Sequence, residues 1–176
     1  MAVNLQDDIT LGIVIVVPEP WAQEILEWRM GLGDPYSDRM PTHITLVAPA
    51  KLPRSRMDAL LTELATAMTS EQPFEVTIGP VGTFRPVSPV VFLHAQDSLD
   101  KLARLEQRVR QLVTDQLPMH PFVPHVTIAM NVGDGLLDAA AHALSDFIAT
   151  WWVAEVVVFE RDDQGYWSVV KSCEIG

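Results

Sequence analysis

A chain of 176 residues, 48% hydrophobic and 20% charged, has the make-up of one folded domain, or two small lobes sharing a core. It is long enough to bury that core without disulfides or a structural metal. Its net charge of −11 argues against tight, non-specific binding to a nucleic-acid backbone, and its single cysteine, Cys173, excludes a disulfide framework and a cysteine-built zinc site.

The opening "MAVNLQDDITLG" has no basic n-region and sets two aspartates before the first apolar run, so no secretory leader is expected and the cytoplasm is the expected compartment. The longest apolar stretch, "LGIVIVVP", is too short to span a bilayer, and no membrane partner is expected. "ITLGIVIVV" is β-branched and ends at Pro18, which predicts a buried strand. In "EPWAQEILEWRMGLG", Trp21, Ile25, Trp28 and Leu32 recur at helical spacing until Gly33 and Pro35 stop the pattern. "HITLV" follows as a short strand closed by Pro49. "SRMDALLTELATAM" predicts a helix capped by Ser55, with Met57, Leu60, Leu61, Leu64 and Met68 on one face. "FEVTIGPVGTF" alternates as a strand into a Gly/Pro turn.

The second half starts over. "PVVFLHA" reads as a strand. "SLDKLARLEQRVRQLVTDQL" reads as a helix with Leu99, Leu102, Leu105, Val109 and Leu112 on one side. Its Lys101, Arg104, Arg108 and Arg110, interspersed with Asp100 and Glu106, read as a solvated face. After the connector "PMHPFVP" comes the strand "HVTIAM", then a helix in "DGLLDAAAHALSDFIAT". "WWVAEVVVFERD" and "YWSVVKSCEI" predict strands joined at Gln164-Gly165, and one of Trp151 and Trp152 must point away from the core. Each half therefore gives strand, helix, His-strand, helix, strand. The expectation is a single domain over residues 1–176, built as a two-fold repeat of approximately residues 9–80 and 89–160, with its seam in the Pro/Gly-rich stretch 80–89.

The two His-strands carry the chemistry. "PTHITLVAP" and "FVPHVTIAM" both place a proline just before a His-apolar-Thr-apolar pattern. Alternation sends His43 and Thr45 to one face and Ile44 and Leu46 to the other, and likewise His125 and Thr127 against Val126 and Ile128. If the apolar pairs face the core, two imidazoles and two hydroxyls face away together. One imidazole can accept a proton while the other donates one, and hydroxyls can bond phosphoryl oxygens. Such a set suits acid–base cleavage of a phosphodiester with no metal or cofactor. Two such matches arise by chance in roughly one chain in several hundred. Both motifs also lie in acid-free windows, residues 39–57 and 116–133, which would spare an anionic substrate local repulsion. A metal site built on the two histidines lacks a nearby carboxylate in either motif, so its ligand set is incomplete.

These motifs, with the "FEVTIGPVGTFRP" to "VVFLHA" segment between them, resemble the 2H phosphoesterase superfamily, which includes bacterial 2′-5′ RNA ligase and 2′,3′-cyclic phosphodiesterase proteins. The resemblance implies an α+β, bilobal duplicated fold: two antiparallel sheets flanked by helices, with a central cleft. It implies metal-independent cleavage, or reversible formation, of a 2′,3′-cyclic or 2′-5′ phosphodiester on an RNA end or small nucleotide. His43 and His125 would be the acid–base pair, with His125 the base for water and His43 the acid, and Thr45 and Thr127 would hold the phosphate. Many members place an arginine shortly after the second threonine, where this chain has Met130. Arg39, Lys51, Arg85 and His120 are the candidates to line the cleft and compensate. The competing expectation is a non-catalytic nucleotide or RNA-end binder that keeps the cleft. His94 is expected to be structural and His142 to lie on the surface, and the protein is expected to be a monomer.

Overall fold

The computed structural model describes residues 8–116 and 118–176. The leader expectation and Leu117, the end of the expected third helix, lie outside the described residues. The β-branched opening run forms β1 (Asp8–Val16), followed by α1 (Trp21–Gly31) and β2 (His43–Pro53). Next come α2 (Met57–Met68), β3 (Phe74–Thr83), β4 (Val90–Ala95) and α3 (Leu99–Val113). The chain then forms β5 (His125–Met130), α4 (Asp134–Ala143), β6 (Ala149–Val153), β7 (Glu155–Arg161) and β8 (Trp167–Glu174).

All eight strands lie in one antiparallel sheet, in the order β6-β3-β4-β5-β2-β1-β7-β8. The sheet is thinnest in the middle, where β2 meets β5 through one register pair, Ile44 opposite Val126. Either side of that seam stand four strands, β2-β1-β7-β8 and β5-β4-β3-β6. β3, from the first half of the chain, pairs with β4, while β7, from the second half, pairs with β1. One side therefore takes β3 from the first half of the sequence, and the other takes β7 and β8 from the second.

One apolar core runs under both sides. Ile25 of α1, Leu60 and Leu64 of α2, Leu102 and Val109 of α3 and Leu137 of α4 pack with Leu11, Ile13, Ile44, Ile78, Val126 and Ile128 of the strands. Burying apolar side chains at this density is the main favourable term in holding helices to sheet. On the opposite face of β1 and β7 a smaller cluster joins Val14, Val157 and Phe159, with Met40 and Trp167 packed against it.

Several local expectations are corrected. β2 does not close at Pro49 but runs on to Pro53; Pro49 lies at the register shift opposite Leu11–Ile13, where a proline costs no ladder bond. Ser55 makes no cap: it sits inside a 3-10 turn, Arg54–Arg56, and α2 starts at Met57. "WWVAEVVVFERD" is two strands parted at Ala154, and they lie in opposite halves of the sheet, β6 on β3 and β7 on β1. The basic side of α3 is not simply solvated. Arg104 and Arg108 donate to buried Glu71 at 3.2 and 2.7 Å, tying α3 to the turn after α2, and Arg110 donates to buried Glu106 at 2.7 Å. Leu99, expected on the apolar side, is exposed. Trp151 is buried and Trp152 is 64% exposed, as alternation requires. Among the described residues, no helix is long and apolar enough to cross a membrane.

Candidate active site

The site follows from the seam. Ile44 and Val126 are 0% exposed and point into the helix-covered core. Two-residue alternation then turns His43, Thr45, His125 and Thr127 to the opposite face, where all four are partly exposed. In an antiparallel register about Ile44–Val126, His43 stands across from Thr127 and Thr45 across from His125. Each imidazole thus has a hydroxyl across the seam from it.

Both rings are held alike. His43 Nδ1 lies 2.7 Å from the Pro41 carbonyl oxygen, and His125 Nδ1 lies 2.7 Å from that of Val123. A carbonyl only accepts, so Nδ1 carries the hydrogen in each neutral ring and Nε2 keeps a free lone pair. The proline two residues before His43 contributes its carbonyl; before His125 the chain reaches the same geometry through Val123.

The surroundings differ. A pocket of about 550 Å³ adjoins His43 and Thr45, lined among others by Arg29, Tyr36, Arg39, Met130, Arg161 and Trp167. The Trp167 indole reaches over Gly12 of β1, where a Cβ would sit 3.2 Å from the ring. The Arg161 guanidinium lies over that indole, 5.6 Å from its centroid, and Arg39 lies over the Tyr166 ring at 4.2 Å. Arg39 Nη1 donates to the Gln164 carbonyl, and the Trp167 N–H donates to the Arg39 carbonyl at 3.0 Å. The β7–β8 turn is thereby clasped to the chain before β2, and the two together wall the pocket.

His125 has an aromatic setting instead. Phe84 and Phe92 each place a ring centroid 5.0 Å from its own. His94 sits directly opposite it on β4, edge-on to Phe92. Glycine at 82 makes room, since a Cβ there would come within 2.4 Å of His94 Nε2. Burial pushes the His43 imidazole down to about 4, against the opposing pull of the Pro41 bond and with the positive Arg29 and His125 adding to the shift. Burial also lowers His125, opposed by the Val123 bond and aided by His94.

Of the other expected cleft residues, Arg39 lines the pocket. Lys51 is exposed on β2 opposite Thr10, away from the pocket lining. Arg85 is engaged by Asp138 at 2.7 Å and Asp134 at 3.7 Å. His120 is exposed in the connector before β5, and His142 is exposed on α4. Sequence reasoning passed over Arg29, Arg161, Trp167, Phe84 and Phe92. The structure places Arg29 one helical turn after Ile25, and both are buried. Among the described residues, no three His, Cys, Asp or Glu side chains group to hold a metal ion.

Residues 17–165 match the model of the 2′-5′ RNA ligase superfamily. A Bacillus cytotoxicus protein named "Putative phosphoesterase" is 32% identical over 124 residues, 70% of this chain and 71% of its own. The crystal structure of E. coli LigT complexed with 3′-AMP superposes with a TM-score of 0.71 at 18% identity, over 96% of this chain and 98% of that one. LigT complexed with NADP+ does so at 0.71 and 20%, over 97% and 99%.

Proposed function

Because the chain belongs to the 2′-5′ RNA ligase superfamily of 2H phosphoesterases, we propose that it cleaves, or reversibly forms, a 2′,3′-cyclic or 2′-5′ phosphodiester of an RNA end or small nucleotide. The carrying observation is the matched pair of rings at the β2–β5 seam, each with Nδ1–H on a carbonyl two residues back and Nε2 without a hydrogen-bond partner among the described residues, on the face that alternation also gives Thr45 and Thr127. In hydrolysis, one Nε2 takes a proton from water as its oxygen bonds to phosphorus. The other Nε2–H gives a proton to the ribose oxygen as the P–O bond breaks. Thr45 and Thr127 donate to the non-bridging oxygens. Ligation is the same step with a nucleotide hydroxyl in place of water.

The order of roles proposed here reverses the expectation from sequence. His43, held down to about 4, stays neutral and suits the base, while His125, which burial also lowers, takes the part of the acid. The pocket beside His43 would take the nucleoside, with Trp167 as a platform for the base. The E. coli LigT complexes with 3′-AMP and NADP+ support a nucleotide as the ligand class. A role in processing RNA ends in the cytoplasm accords with this chemistry.

The test is hydrolysis of the four nucleoside 2′,3′-cyclic phosphates in EDTA, by wild type and by His43→Ala and His125→Ala. Loss of about 10²–10⁴-fold in either variant supports the reading. Activity that survives both substitutions overturns it. Nucleotide binding with no turnover of a wider panel, including 2′-5′-linked dinucleotides, assigns the protein to the binder class instead.

A further inference from the structure

We propose that Arg29 is an anion-binding residue of the His43 pocket, gripping phosphate oxygens of the bound nucleotide through its two Nη nitrogens. The inference rests on the phosphoesterase reading for its substrate, but its geometry stands apart from the two histidines. Arg29 lies in the last turn of α1, and its side chain is only 6% exposed. Its Nε donates to Asp34 Oδ2 at 2.9 Å, and the Asp34 side chain is 0% exposed. The other carboxylate oxygen, Oδ1, accepts the Tyr36 N–H at 2.8 Å. Both Asp34 oxygens are thus engaged, one by the guanidinium and one by the backbone, which fixes the plane of the guanidinium.

That arrangement uses one edge of the fork and leaves the other. An arginine–carboxylate pair commonly closes two parallel bonds; here the contact is through Nε alone, and neither Nη has an acceptor among the described residues. Arg29 lines the pocket with His43, Thr45 and Met130. The residue on the pocket side of β5, Met130, brings no charge. Of the neighbouring cations, Arg39 has its Nη1 on a backbone carbonyl and its buried Nε without a partner, and the Arg161 guanidinium lies 5.6 Å from the Trp167 ring centroid. Neither Nη of Arg29 is a buried atom left without a partner, so the free edge of the guanidinium meets the open space of the pocket, where an anion can accept two charge-assisted bonds.

Placement beside His43 gives the anion a second effect. With the pocket empty, the Arg29 charge disfavours a proton on His43; an anion between them cancels that charge and favours one. Phosphate binding and His43 protonation are therefore coupled through Arg29.

The experiment uses inorganic phosphate and 3′-AMP as probes, so that no turnover is needed, and follows the His43 and His125 imidazole signals by NMR. Two variants are compared with wild type: Arg29→Lys, which keeps a cation for Asp34, and the double variant Arg29→Met with Asp34→Asn, which leaves no orphaned carboxylate and keeps an acceptor for Tyr36. In folded variants, both probes should bind about ten- to a hundredfold more weakly, with the His43 response to phosphate reduced. Affinities within about twofold of wild type, or a wild-type pocket that ignores phosphate, overturn the inference. If wild type binds phosphate through Arg29 yet turns over no cyclic nucleotide, the inference stands and the phosphodiesterase reading does not.

Discussion

Replacing His43 by asparagine should make the protein less sensitive to mild acid. Burial holds the native imidazole at about 4, whereas in the unfolded chain it returns to its ordinary 6.5. Between those values the unfolded state binds the proton and the native state does not, so stability falls as the pH drops from 6.5 towards 4 and levels off below. At about 1.4 kcal/mol for each pH unit, the 2.5 separating the two values amount to about 3 kcal/mol in the acid limit, of which about 2 kcal/mol is already lost at about pH 5. Asparagine cannot titrate, and its amide can still donate to the Pro41 carbonyl in place of Nδ1. Urea unfolding of both proteins at about pH 8 and about pH 5 measures the effect, because the other titrating groups act on both alike. Wild type should lose about 2 kcal/mol more than His43→Asn between the two conditions. If the two losses agree within about 0.5 kcal/mol, His43 is not desolvated and its role as the resident neutral base loses its physical ground.

The same shifts place the activity optimum. With His43 the base and His125 an acid lowered below 6.5, kcat/KM for a cyclic nucleotide should peak on the acid side of neutrality and decline as the pH rises past the His125 value; a peak at about pH 7.5 or above would contradict this pairing. Trp167→Ala should weaken nucleotide binding by about 1–3 kcal/mol while inorganic phosphate binds as before, as calorimetry with 3′-AMP and with phosphate would read. Equal loss for both ligands would mean that the indole supports the pocket wall rather than a base.

The centre of the site was legible because it depends on one short-range rule. Once Ile44 and Val126 are in the core, alternation leaves no other face for His43, Thr45, His125 and Thr127. Arg29 was hidden because an arginine in a last helical turn is the ordinary partner of the helix dipole and needs no pocket. Only the Asp34 carboxylate, brought back under α1 by the turn at residues 32–35, makes that position an interior one. The break at Ala154 was equally hidden: no Gly or Pro marks it, and both flanks have strand composition. Which flank pairs with β3 and which with β1 is decided by free edges elsewhere in the sheet, and local propensity carries no record of those. Ser55 misled for the opposite reason, since a 3-10 turn ahead of α2 occupies the backbone that a cap would have used.

The exchange of β3 and β7 between the two sides of the sheet also sets an order of events on the ribosome. β1 and β2 can pair as soon as they emerge, but the outer edge of β1, at Thr10 to Val14, acquires its partner only when Val157 to Arg161 has been made. Until that segment has been made, the nascent chain therefore carries an open, β-branched edge, the kind of surface that invites pairing with other chains. The pocket beside His43 is completed only then, since Arg161, Gln164 and Trp167 arrive with the β7–β8 hairpin. A chain halted before residue 155 would possess both histidines and still lack the walls of the pocket that one of them serves.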